Sequence, residues 1–281
     1  MIKKLLVVII LFTTSNSFAT NWLHSLEDAQ KLALGQNKLI LVDFWASWCG
    51  PCLKMDKDSW SDPEVQSLME AFIPVKIDFD RQKNLARSYQ VNAIPDFYIM
   101  DGNGAVIYHH KGYLNAFDLI RELKKYQINI AFTNTSAIQY YQKQQYNTAF
   151  KLAERYMDFS LNISEKEVRL NFLQVAKKYL NKSEDLLVNT MSTYNLFEER
   201  IALYDLMIDV YRGKTSKVTR ILAKEYPESS IDPRNQVVFY FLKSCLCKPD
   251  DSELALVSEK LKSKDVSGNF QTRLQWFSAI E

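Results

Sequence analysis

Val42-Asp43-Phe44-Trp45-Ala46-Ser47-Trp48-Cys49-Gly50-Pro51-Cys52 joins an apolar run to a pair of cysteines. From Leu39 to Ala46 the run is broken only by Asp43, which predicts a buried strand. Pro51 suits the first turn of a helix and predicts one from there to about Ser59. Cys49 then stands at a helix start, where unpaired backbone N–H groups favour negative charge. A thiolate, not a thiol, attacks disulfides, so this position suits a redox nucleophile. Cys52, one turn further, is expected to be sheltered and placed to attack a mixed disulfide. Zinc binding or an inert pair also fits two cysteines at this spacing. A structural zinc site needs two more ligands, and Cys245-Leu246-Cys247 lies far away in a predicted helix. Asp43 is either a polar strand residue or a functional carboxyl, and burial should raise its pKa.

Outward from this segment, the first half alternates strand-like and helix-like patterns. Helices are expected at Trp22–Gln36, from Pro51, from Ser61, at Arg81–Tyr89 and at Asn115–Tyr126. Ser61 and Glu64 read as a capping box, with Pro63 in the first turn. Strands are expected at Leu39–Ala46, Ile73–Phe79, Phe97–Met100 and Ala105–His110, the last two joined by an Asp101-Gly102-Asn103-Gly104 hairpin turn. Parallel strands joined by helices and followed by a hairpin make a mixed sheet covered on both faces. Composition changes near residue 127: five of the seven glycines precede it. Beyond it, paired helices are expected at about 137–145, 147–158, 165–180, 184–194, 197–212, 215–225, 234–247, 252–262 and 269–280. Ala137, Tyr140, Tyr146, Ala149 and Ala153 give one faint tetratricopeptide-like match, too little for a repeat array.

Lys3 and Lys4 precede the apolar run Leu5–Phe12, and Ser17-Phe18-Ala19 fits a small-x-small cleavage pattern. An export signal cleaved after Ala19 is expected; eight apolar residues span only ~12 Å as helix, against a bilayer core of ~30 Å. The chain has 35 basic and 33 acidic residues; without Lys3 and Lys4 the numbers are equal, which gives no electrostatic case for nucleic acid. The four cysteines lie in two close pairs, unlike the spread expected of an exported disulfide scaffold. Cys245 and Cys247, two residues apart, point to different faces of a helix and read as packed small hydrophobes. His109 and His110 read as solvated or packed strand residues.

Val42 to Cys52, with Ala93-Ile94-Pro95, Gly112 and the element order, closely resembles the thioredoxin-like family over residues 22–126. The resemblance implies an α/β thioredoxin-like fold followed by an all-α helical-hairpin domain. The expected division is a signal peptide at 1–19, a thioredoxin-like domain at 20–128 and a helical domain at 129–281. It implies that Cys49 attacks, Cys52 resolves and Asp43 assists proton transfer, with Lys76 as its support. Trp48, Gly50, Pro51, Ile94, Pro95 and Gly112 are implied to form the client-binding rim, with Ile94–Pro95 cis; Trp45 matches the family's other site tryptophan and reads equally as simple packing. No metal and no cofactor beyond the Cys49–Cys52 disulfide is implied. Two features depart from the family: Asp96 stands where a Thr usually follows the proline, and Asp56–Pro63 interrupts the usual run. The latter looks like exported thioredoxin-like domains, including the soluble end of membrane electron transporters. The Gly-Pro dipeptide resembles the reducing branch. The expected activity is therefore reduction of disulfides in exported proteins, periplasmic or secreted, with a membrane electron donor and no stable membrane insertion after cleavage. The alternative is a binding adaptor in which the helical half recognises a client or partner.

Overall fold

The computed structural model describes residues 21–248 and 252–279. The export segment with its cleavage position, the predicted break at Pro249, and Ile280 all lie outside the described residues.

Trp22 does not begin a helix. Leu23 instead bridges alongside Val75 of the sheet, and Ser25 caps α1 (Leu26–Gln36) by accepting the Asp28 N–H at 3.2 Å. β1 (Leu39–Trp45) follows, then α2 (Gly50–Met55), which runs on as a π-type turn at Asp56–Trp60. α3 (Pro63–Met69) is capped by Asp62, not by the expected Ser61. Ser61 Oγ is still donating to Lys57 O of the preceding turn, whereas Asp62 Oδ1 accepts the Glu64 and Val65 N–H groups at 2.9 and 3.2 Å. β2 (Phe72–Asp78), α4 (Lys83–Ser88), β3 (Asp96–Met100), β4 (Val106–Lys111) and α5 (Ala116–Lys125) complete this half. The sheet order is β2-β1-β3-β4, with β1 parallel to β2 and antiparallel to β3, and β3 antiparallel to β4. Pro74 sits in edge strand β2, where a missing N–H is tolerated.

Alternation along the strands divides the side chains between two faces. Ile40, Val42, Phe44, Val75, Ile77, Tyr98 and Met100 pack with Leu26, Ala29, Ala33 and Ala86 from α1 and α4. Leu39, Leu41, Phe97, Ile99 and Ile107 pack with Met55, Trp60, Val65, Leu68, Leu119 and Leu123. This second cluster does not stop at the end of α5: it continues through Tyr126 and Ile130 into the helical region.

That region comprises α6 (Ala131–Gln142), α7 (Tyr146–Ser160), α8 (Lys166–Asp185), α9 (Tyr194–Tyr211), α10 (Thr215–Glu225), α11 (Gln236–Leu246), α12 (Leu254–Lys264) and α13 (Asn269–Ser278). A thioredoxin fold is thus followed by helices, as expected. Two boundaries differ. α6 starts at Ala131, earlier than the Thr/Asn/Ser-rich sequence suggested, because Thr133 is fully buried and its hydroxyl bonds back to Ile130 O. The expected helix at 184–194 is absent: α8 runs on to Asp185 and the segment Leu186–Thr193 forms turns instead.

Two buried polar groups tie the elements together. Asp101 of the hairpin turn is fully buried; it accepts the Tyr156 and Tyr179 hydroxyls from α7 and α8 at 2.9 and 2.6 Å, and the Asn103 and Ala105 N–H groups at 2.9 and 2.8 Å. Arg273 of α13 grips Asp158 through two hydrogen bonds of 2.6 and 3.0 Å and Glu154 through one of 2.8 Å. Cys245 and Cys247, near the end of α11, are half-buried thiols.

Candidate dithiol site

β1 delivers the chain to Trp45, and a short turn places Cys49 as the cap of α2. The Cys49 and Cys52 sulfurs are joined as a disulfide, with Cα atoms 5.2 Å apart. The Cys52 N–H points at Cys49 Sγ across 3.2 Å. The expected contrast in shelter between the two cysteines is absent in this oxidised state: each is 3% exposed. They pack with Ala46 against Trp45, Phe79 and Ile94. Around them Gly50 and Pro51 are exposed, and Trp48 is 65% exposed, its indole N–H donating to Asp80 Oδ2 at 2.6 Å.

The Ile94–Pro95 peptide bond is cis, as the motif implied. Ile94 is half-buried against the cysteine pair, and Pro95 O accepts the Gly112 N–H at 2.8 Å. Gly112 has φ +103°, a conformation that favours glycine, and faces open space. The structure therefore brings Trp48, Gly50, Pro51, Ile94, Pro95 and Gly112 to one end of the sheet, beside the disulfide.

Asp43 lies in mid-strand, opposite Lys76 on β2 and Phe97 on β3. It is 2% exposed, and its Oδ1 accepts no hydrogen bond among the described residues. Burial pushes this carboxyl up to about 7, while Lys76, with Nζ 3.7 Å from Oδ2, pulls the other way. Lys76 does not serve Asp43 alone. Its ammonium is also paired with Asp56, and it lies 5.1 and 5.3 Å from the ring centres of Trp45 and Trp22. Asp56 was missed by sequence reasoning. Its available signal is spacing: it lies four residues beyond Cys52, and its N–H donates to Cys52 O. The chain thus links Asp43 to Lys76, Lys76 to Asp56, and Asp56 through the helix backbone to Cys52.

Among the described residues, no group of three or more His, Cys, Asp or Glu side chains is arranged to hold a metal, and no helix is long and apolar enough to cross a membrane.

Residues 26–127 match the family model of the thioredoxin-like domain. A thioredoxin of Chlorobaculum thiosulfatiphilum is 35% identical over 77 residues, 26% of this chain and 66% of that protein. Thioredoxin 2 of Chlorobaculum tepidum is 32% identical over 84 residues, 28% of this chain and 72% of that one. The chain belongs to the thioredoxin family. Its thioredoxin-like part carries a close cysteine pair in the setting of a thiol–disulfide oxidoreductase, and the helical region follows it. The chain spans 66% of the first relative's length and 53% and 50% of two further relatives. The oxidised C-terminal domain of Neisseria meningitidis DsbD superposes with a TM-score of 0.33 at 23% identity, covering 38% of this chain and 99% of that domain.

Proposed function

We propose that this protein reduces disulfides in other proteins, using Cys49 as nucleophile and Cys52 as resolving thiol. The observation that carries the reading is the Cys49–Cys52 disulfide at the start of α2, with the Cys52 N–H directed at Cys49 Sγ and the Ile94–Pro95 edge beside it. In the dithiol form, the Cys49 thiolate attacks one sulfur of a client disulfide and the other client sulfur leaves as a thiolate. Deprotonated Cys52 then attacks Cys49 Sγ, releasing the second client thiolate and forming the disulfide seen here. Two electrons pass to the client, and a dithiol donor must return them for the next cycle.

Asp43 takes the role of proton acceptor for Cys52. Its carboxyl, held up to about 7 by burial, changes protonation in the range where such transfer is useful. Lys76 and Asp56 set the charge around it. The exposed Trp48, Gly50 and Pro51 and the half-buried Ile94 and Gly112 form the edge on which an extended client segment lies. Lys3 and Lys4 before the apolar run Leu5–Phe12 support the reading that the protein acts outside the cytosol, where a membrane electron donor would supply the reducing equivalents.

Insulin reduction with dithiothreitol as donor tests the reading. The protein accelerates precipitation of the insulin B chain, and Cys49→Ser abolishes the acceleration. Equal rates with and without Cys49 would remove the basis for the proposal.

A further inference from the structure

The chain leaves α4 by a tight reversal. The Gln90 N–H donates to Arg87 O at 3.0 Å and the Val91 N–H to Ala86 O at 2.9 Å, with Gln90 at φ +59°. The reversal folds the buried Val91 back toward Ala86 and sends Asn92 on to Ile94–Pro95. Between this turn and Phe79 lies a groove of about 500 Å³, with Phe79, Ala86 and Val91 as its apolar floor. Phe79 also packs on the Cys49–Cys52 pair, as Ile94 does, so one side chain serves both the groove and the disulfide.

Two cations stand on the rim of this groove. Lys83 and Arg87 are exposed and four residues apart, which puts them on one face of α4. Neither has an ion-pair partner among the described residues. Like charges at this spacing repel and weaken a helix, so the arrangement does not serve the stability of α4. A third cation reaches the end of the groove, because the Lys111 ammonium bonds Asn92 Oδ1. The carboxylates closest in the chain are engaged elsewhere. Asp78 accepts the Asp80 and Arg81 N–H groups and lies 3.5 Å from the Arg81 guanidinium; Asp80 accepts the Trp48 indole N–H. Asp96 is buried, with Oδ1 2.6 Å from His109 Nε2.

We propose that this groove is a client-specificity subsite that takes an acidic segment flanking the client's disulfide, with Lys83 and Arg87 as the residues that select it. The inference rests on the reading of the Cys49–Cys52 pair and the Ile94–Pro95 edge as a disulfide reductase. An extended chain advances ~3.3 Å per residue, so a client held at Ile94 brings its next few residues over Phe79 and Val91. Its carboxylates meet Lys83 and Arg87 while its methylene groups cover the apolar floor. The floor keeps water from one side of each ion pair, which weakens screening.

The test uses two disulfide peptides that differ only in carrying Glu or Gln at the positions flanking the cysteine, with the whole protein as reductant and dithiothreitol as donor. All measurements are made at one pH, so the charges on Cys49 and Asp43 are common to both peptides and cancel in the ratio of their KM values. In the wild type the Gln peptide should have a KM about fivefold above that of the Glu peptide, the scale of two exposed ion pairs. The double variant Lys83→Gln, Arg87→Gln should bring the two KM values together; both side chains are exposed, and the core residue Ala86 between them is untouched. Lys57→Gln removes an exposed cation from the continuation of α2, which packs on the opposite face of the sheet from α4, and should keep the wild-type ratio. Equal KM values in the wild type, a double variant that keeps the wild-type ratio, or a Lys57→Gln ratio that falls as far as the double variant's overturns the proposal. If neither peptide is reduced while the fold is intact, the failure lies with the reductase reading instead.

Discussion

Replacing Asp43 by Asn should stabilise the oxidised protein increasingly as pH rises. In the folded chain burial holds the Asp43 carboxyl at about 7, whereas its ordinary value is 3.8. Between those values the folded protein keeps a proton that the unfolded chain has lost. Stability contributed by this group is therefore fully present below the ordinary value and is lost as pH rises through about 7. Each pH unit within that window changes stability by about 1.4 kcal/mol, so moving from about pH 5.5 to pH 8 should lower wild-type stability by about 2 kcal/mol through this residue. The amide introduced by Asp43→Asn has nearly the same shape as the carboxyl and carries no charge at either pH, and Lys76 keeps its partner Asp56. Urea unfolding of both proteins with the disulfide intact, followed by tryptophan fluorescence, measures the difference. The gap between variant and wild type should widen by about 2 kcal/mol from the lower to the higher pH. A constant gap would falsify the claim that burial of Asp43, and not its ion pair with Lys76, dominates its titration.

Asp56→Asn should move the Asp43 titration to lower pH, since Asp56 both repels the Asp43 charge and draws on the shared Lys76; carboxyl-carbon NMR reads the shift. Arg273→Ala should destabilise the helical region by about 3–5 kcal/mol in urea, because it leaves Asp158 buried without its cation. Tyr179→Phe should cost about 1–3 kcal/mol by taking one hydroxyl from the buried Asp101 carboxyl, and calorimetry should show the loss in the buried cluster that the sheet and the helices share.

Much of the fold was legible where a local rule and the tertiary environment agree. The apolar run Leu39–Trp45 becomes the central strand, the Asp101–Gly104 turn joins β3 to β4, and Asn115 caps α5 by accepting the Asp118 N–H. Cys-Gly-Pro-Cys and Ile94–Pro95 were legible because their roles depend on short-range backbone geometry. Long-range pairing defeated the reading elsewhere. Asp101 looks like an ordinary turn residue; only the fold shows that α7 and α8 bury it under two tyrosines. Asp56 looked like part of a charged interruption until β2 brought Lys76 to it. Asp96 stood out as a departure from the family pattern, but its partner His109 is set by strand register. The residue 127 composition change marks where strands give way to helices, yet the buried cluster crosses it unbroken.

The central claim is that Cys49 attacks and Cys52 releases. The Cys52→Ala protein, mixed with a disulfide-bonded client and resolved without reductant, tests this directly. A covalent adduct should accumulate, dissolve with dithiothreitol, and map by mass spectrometry to Cys49. An adduct on Cys245 or Cys247, or none on an intact fold, would contradict the account.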